Sequence, residues 1–217
     1  MNIRPAAVVV AAALTFTALG ARAAEPLVGD AKAGATKAAA CGACHGITGV
    51  SEVNPEWPNL AGQGHWYIAE QLMYFKSQVR ANAVMGAQAV ALEPQDMADV
   101  AAYFELQTPK GLEADPALVD LGKRLYRAGD AKRGLPACFT CHGPDGRGNG
   151  PAKWPAVRAQ HDTYVYNQLK NYAARTKYSK VDGQPSAPER AEMMYTVAGK
   201  LTDDEMKAVA SYIQGLR

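Results

Sequence analysis

The chain has 217 residues, with 23 basic and 21 acidic side chains and four cysteines. So even a balance excludes the basic surface that nucleic acid phosphates require. The charge is nevertheless uneven along the chain: residues 24–110 carry five basic and nine acidic groups, net −4, and residues 111–217 carry sixteen and twelve, net +4, which predicts a dipolar molecule whose faces are steered to different partners.

Residues 1–23, "MNIRPAAVVVAAALTFTALGARA", combine Arg4, an apolar stretch from Pro5 to Leu19 and an Ala21-x-Ala23 ending. That is the pattern of a cleaved secretory signal, and it predicts a periplasmic protein beginning at Ala24. The apolar stretch falls short of the roughly 20 residues a membrane span needs, so no span is expected after cleavage. Loss of Arg4 and Arg22 leaves 21 basic and 21 acidic groups, net zero.

The next signal is "CGACHG" at residues 41–46, which returns ninety-seven positions later as "CFTCHG" at 138–143. Cysteines three apart on a helical turn can both form thioethers to haem vinyl groups, with the adjacent histidine reaching the iron. Two such motifs predict two covalently bound haem c groups and use all four cysteines. A structural zinc site from two Cys-x-x-Cys pairs does not require a histidine after each pair. A thioredoxin-like pair needs a preceding strand, and neither Ala35 to Ala40 nor Pro136-Ala137 reads as one.

Matches at the same offset continue through Trp57-Pro58 and Trp154-Pro155, Gln63 and Gln160, Tyr67 and Tyr164, Gln71-Leu72 and Gln168-Leu169, and Phe75 and Tyr172. They resume at an offset of 109, from Leu92 and Leu201 to Tyr103 and Tyr212, so the second copy holds twelve extra residues within "KYSKVDGQPSAPERAEM". This is an internal repeat with a Gly- and Pro-containing loop in the second copy. Each copy reads as helix, haem motif, loop, helix, loop, helix.

The last helix of the first copy has Pro94 in its first turn and Met97, Val100, Ala101 and Phe104 on one face. "QTPKGLEADP" at 107–116 is the linker, and Asp115-Pro116 is expected to open a helix bearing Leu118, Leu121 and Leu125. "GRGNG" at 146–150 lacks the lysine and strand of a phosphate loop and reads as plain loop. Thr202 with Glu205 forms a capping-box signature, followed by Met206, Val209, Ala210 and Ile213 at helical spacing. No strand pattern appears, so the fold class is all-α, with domains at 24–108 and 109–217. Each is small enough for its haem to fill much of the core.

The sixth iron position decides between carrying electrons and doing chemistry. Met85 and Met194 both lie seven residues before the matched leucines and are the candidate ligands, against the alternative that a methionine merely fills a gap. Met97 and Met206 lie on apolar stripes, Met73 aligns with Lys170, and Met193 breaks the shared offset. His65 and His161 are ninety-six apart rather than ninety-seven, and read as surface or supporting residues. The repeated aromatics Trp57/Trp154, Tyr67/Tyr164 and Tyr103/Tyr212 are expected around the haems, a hydroxyl or indole N–H meeting a propionate. Thioether sulfur favours ferrous iron and raises the reduction potential, and a filled iron has no substrate position.

Carried by "CGACHG", "PNLAGQ" at 58–63, "QLMYF" at 71–75, "YVYNQL" at 164–169 and "VASYIQGL" at 209–216, the mature chain resembles the cytochrome c4 family, dihaem class I cytochromes c of the bacterial periplasm. The resemblance implies two tandem cytochrome c-like domains related by a pseudo-twofold axis, with haems close to their interface. It implies ligation by His45 and Met85 in one and by His142 and Met194 in the other. It further implies an electron carrier rather than an enzyme, taking electrons from a cytochrome bc complex or periplasmic dehydrogenases toward a terminal oxidase. Two departures stand out: "VRAQ" replaces "LAGQ" in the second copy, and the insertion precedes Met194. The rival functions are a small dihaem oxidoreductase, such as a thiosulfate dehydrogenase or peroxidase, and a cytochrome subunit of a larger complex. No cysteine is left over for thiosulfate chemistry.

Overall fold

The computed structural model describes residues 27–184 and 186–217; the signal segment lies outside them. The first half contains α1 (Ala31–Lys37), α2 (Gly42–His45), α3 (His65–Lys76), α4 (Ala83–Val90) and α5 (Pro94–Glu105). The second contains α6 (Val119–Ala128), α7 (Phe139–His142), α8 (Asp162–Ala173), α9 (Arg190–Ala198) and α10 (Asp203–Gly215). Among the described residues the only extended pairings are isolated bridges, Asp130 with Leu135 and Asn149 with Trp154. The fold is all-α.

The apolar periodicities position these helices. On α3, Ile68, Leu72 and Phe75 face the first core with Met97, Val100, Ala101 and Phe104 of α5. The second core repeats this with Val165 and Leu169 of α8 and Met206, Val209, Ala210 and Ile213 of α10. The ends are capped as expected: Thr202 Oγ1 accepts from Glu205 N, and Glu205 Oε2 accepts from Thr202 N at 2.9 Å. In the first half Asp96 Oδ2 accepts from Glu93 N at 2.9 Å.

In each half the opening and closing helices cross with a glycine at their contact. A Cβ on Gly34 would stand 2.0 Å from Asp99 O, and one on Gly122 would stand 2.1 Å from Ala208 O. Asp99 and Ala208 are related by the offset of 109, so the crossing is part of the repeat. Gly34 and Gly122 are only eighty-eight apart, because the segment between opening helix and haem motif is longer in the second half. That irregularity hides the pair from a search at a single offset.

Three elements differ from expectation. Asp115-Pro116 forms a turn, in which Asp115 Oδ1 accepts from Ala117 N at 2.8 Å, and α6 starts only at Val119. The segments carrying Met85 and Met194 are helices in their own right, α4 and α9; Asn82 caps α4 by accepting from Met85 N at 2.8 Å. The insertion does not stand off as a free loop. Tyr178, Ala191 and Tyr195 form a third core with Tyr74 and Val79 of the first half. Arg190 pairs with Glu70, and Tyr74 donates to Ser186 O at 3.4 Å. The extra residues therefore strap the second half to the first.

The halves also meet reciprocally. Gln63 takes both backbone groups of Ala156, Nε2 donating to its O at 2.9 Å and Oε1 accepting from its N at 3.0 Å. Gln160 takes both backbone groups of Asn59 in the same way, at 2.9 and 2.8 Å. Gln63 and Gln160, like Asn59 and Ala156, differ by ninety-seven. Each half thus offers the same patch to the other, which is the signature of an isologous, twofold-related interface.

Candidate haem sites

Each haem motif forms one short helical turn. His45 N donates to Cys41 O at 2.9 Å and His142 N to Cys138 O at 3.0 Å. This places both cysteines and the histidine of a motif on adjacent positions of that turn. The residue after each histidine has positive φ, 74° at Gly46 and 81° at Gly143. A Cβ at Gly46 would also stand 2.1 Å from Val50 O. The glycine that ends each motif is therefore required by the backbone.

The histidines are oriented alike. His45 Nδ1 lies 2.9 Å from Pro58 O, and His142 Nδ1 lies 2.8 Å from Pro155 O. A carbonyl can only accept, so Nδ1 carries the proton and Nε2 keeps its lone pair for a metal. Burial also lowers both imidazole pKa values, outweighing the opposing effect of those bonds, and keeps the rings neutral. The repeated Trp-Pro pair of the sequence thus supplies the carbonyls that set the tautomer.

None of the four cysteines is in a disulfide, and all are of intermediate exposure. Burial raises the Cys41 thiol and pushes that of Cys138 up to about 11. No three or more His, Cys, Asp or Glu residues converge as a metal site among the described residues, which leaves the zinc alternative without ligands. The absence of strands around the motifs there removes the thioredoxin-like alternative.

Cys41 and Met85 pack against the first core, and Cys138 and Met194 against the second. Met193, the neighbour of Met194, is 50% exposed. Met97 and Met206 are buried in the cores, as expected of the apolar stripes, and Met73 is exposed. His65 is exposed, with its Nδ1 2.9 Å from Glu105 Oε2. His161 departs from a surface role: it is 7% exposed, and its Nε2 lies 2.8 Å from Ser51 O across the interface. Its partner lies 110 positions away, so no local pattern announces the contact.

The donor set fits haem c: paired thiols on one turn, an imidazole with its second nitrogen already bonded, and a thioether packed on the same core in each half. Arg158, one of the three residues by which "VRAQ" differs from "LAGQ", has a buried Nε without a protein partner. A haem propionate is an anion of the kind such a donor accommodates. Sequence reasoning missed Arg80 and Lys177, which lie between the halves beyond the ends of α3 and α8. Their equivalence at the repeat offset was the available signal.

The chain matches the cytochrome c family over residues 31–106 and 119–217. It is 41% identical over 197 residues to cytochrome c4 of Azotobacter vinelandii, covering 87% of this chain and 90% of that one. It is 36% identical over 180 residues to a thiosulfate dehydrogenase electron acceptor of Thiomonas intermedia (strain K12), covering 82% and 78%. The crystal structure of reduced recombinant cytochrome c4 from Pseudomonas stutzeri superposes with a TM-score of 0.79 at 39% identity, covering 88% of this chain and 100% of that one.

Proposed function

We propose that this chain, which belongs to the cytochrome c4 family of dihaem class I cytochromes c, accepts electrons from a periplasmic dehydrogenase or a cytochrome bc complex and passes them to a terminal oxidase or another acceptor. Membership makes it a dihaem electron carrier and not an enzyme. Two haem c groups are bound through Cys41 and Cys44 in residues 24–108 and through Cys138 and Cys141 in residues 109–217. His45 and Met85 would ligate the first iron, and His142 and Met194 the second. Bound haem supplies one-electron chemistry; the chain supplies its attachment, its axial ligands and the exclusion of water.

The observation that carries this reading is the pair of Nδ1 contacts to Pro58 O and Pro155 O, which prepares both imidazoles in the same way. With a thioether as well as an imidazole available to each iron, no open position for substrate would remain. A dehydrogenase as donor is supported by the Thiomonas relative, whose name gives it that acceptor role. No helix among the described residues is long and apolar enough to cross a membrane, and the signal segment supports a periplasmic location.

The test is reconstitution. Protein matured in a bacterial periplasm should show the mass of two haems, be reduced in stopped flow by a quinol-fed bc complex or by a thiosulfate dehydrogenase with its substrate, and be reoxidised by an oxidase. Reduction by neither donor would overturn the proposed route.

A further inference from the structure

The carbonyl that receives each histidine proton is one end of a peptide unit whose other end is held by the opposite domain. In the first half His45 Nδ1 lies 2.9 Å from Pro58 O, and the N–H of the same peptide, that of Asn59, donates to Gln160 Oε1 at 2.8 Å. In the second half His142 Nδ1 lies 2.8 Å from Pro155 O, and the Ala156 N–H donates to Gln63 Oε1 at 3.0 Å. His45 and His142, Pro58 and Pro155, Asn59 and Ala156, and Gln63 and Gln160 are all repeat mates. The two chains of bonds are therefore copies of each other, and each crosses the seam.

A planar peptide unit shares its nitrogen lone pair with the carbonyl oxygen. An acceptor on the N–H increases that sharing and makes the oxygen a better acceptor, which is the cooperativity of hydrogen bonds in series. A better acceptor on Nδ1–H makes the imidazole a stronger donor at Nε2. Stronger donation favours ferric iron, so this outer hydrogen bond lowers the reduction potential.

The glutamines are fixed in the orientation this requires. Each Oε1 also accepts from the next amide of its own chain, Gln63 from Gly64 N at 3.0 Å and Gln160 from His161 N at 3.1 Å. Each Nε2 donates to the carbonyl of the residue whose amide it holds, at 2.9 Å in both cases. The first peptide is braced further: Asn59 is 7% exposed, its Oδ1 accepts from Ser51 N at 2.8 Å and its Nδ2 donates to Ala159 O at 2.7 Å. Ala156 has no side chain to do the same, so this extra bracing belongs to the first half alone. It keeps the 58–59 peptide in place when the Gln160 side chain is changed.

We infer that Gln63 and Gln160 are crossed positioning residues, each setting, through one peptide unit, the electron donation of the proposed axial histidine in the other domain and hence that haem's potential. This rests on the haem reading above. Opening the seam would release both peptides, so domain docking and the two potentials are tied together.

The test is Gln160→Leu in the matured dihaem protein, with Gln160→Glu as the conservative variant, Gln63→Leu as the mirror, and Met85→Ala to identify the midpoint of the first haem. Gln160→Leu should raise the first haem's midpoint, leave the second's in place and shift the His45 Nδ1–H proton resonance of the reduced protein. The linker at 107–116 should be cleaved no faster, because the bonds of Gln63 and the pairing of Glu70 with Arg190 remain. Gln160→Glu keeps an acceptor for the Asn59 amide and should not raise the midpoint. Gln63→Leu should raise the second haem's midpoint instead, and it carries the test should Gln160→Leu fail to fold. An unchanged first midpoint in Gln160→Leu would overturn the inference. So would equal shifts at both haems with faster linker cleavage, which would reduce the glutamines to docking, or a shift confined to the haem of the substituted domain. Wild-type protein lacking two haems, or lacking the near-infrared methionine band, would instead be a failure of the haem-site reading.

Discussion

An imidazole bonded at Nδ1 to a carbonyl is a ligand held ready, and the same arrangement at His45 and His142 gives the two proposed haem sites one design. The methionines should then decide the potentials. Met85→Ala should abolish the near-infrared methionine–ferric band at one haem and lower that haem's midpoint, and Met194→Ala should do the same at the other. Retention of both bands in either variant would remove that methionine from the iron. A second residue-scale prediction concerns Asp99, whose buried carboxylate accepts from Asp30 N at 2.8 Å, Lys37 Nζ at 2.6 Å and Gln95 Nε2 at 2.8 Å. These bonds hold its pKa down to about 2. A depressed folded-state value stabilises the fold fully above the unfolded carboxylate value of about 3.9 and ceases to do so as pH falls through the folded value. Thermal stability should therefore fall between about pH 4 and pH 2, and Asp99→Asn should be less stable at neutral pH with a flatter dependence there. The cysteines and histidines were legible because their chemistry sits within six consecutive residues. His161 and Asp99 were not, because their partners come from distant segments.

At the scale of elements, the glycine crossings are the least tolerant contacts. Gly34→Ala puts a methyl group against Asp99 O of α5, and Gly122→Ala does so against Ala208 O of α10. Each should cost about 1–3 kcal/mol by overpacking, readable as a lower melting temperature with haem still attached. An unchanged melting temperature would mean that the helices separate freely. The closing helices α5 and α10 were legible residue by residue, since each buries one apolar stripe and begins at a capping box or proline. The helices α4 and α9 were not. "AVMGAQAV" leaves Val84 and Val90 exposed while burying Gly86 and Ala89, so its sequence carries no amphipathic signal and its position comes from tertiary packing. The insertion read as a loop for its Gly and Pro content, yet its Tyr178, together with Tyr195 of α9, fills the seam against Tyr74.

Across the whole molecule, duplication produces the interface as well as the two sites. The reciprocal bonds of Gln63 and Gln160 involve four hydrogen bonds, each worth about 0.5–1.5 kcal/mol net. Gln63→Ala with Gln160→Ala should loosen the domains against each other, seen as faster proteolysis of the linker at 107–116 with both haem spectra intact. The repeat was visible in the sequence, but the interface was not, because two matched glutamines do not reveal that each binds the other copy. The charge asymmetry, net −4 over residues 24–110 and net +4 over 111–217, predicts that association with at least one redox partner slows as salt rises. A rate independent of ionic strength would deny the dipole a role. The central claim is two six-coordinate His/Met haems in one chain, and a spectroelectrochemical titration of the periplasmically matured protein, following haem reduction and the near-infrared methionine band together, tests it most directly. Two high-potential steps with the band present at both haems are predicted; a low-potential step, or one haem without the band, would contradict it.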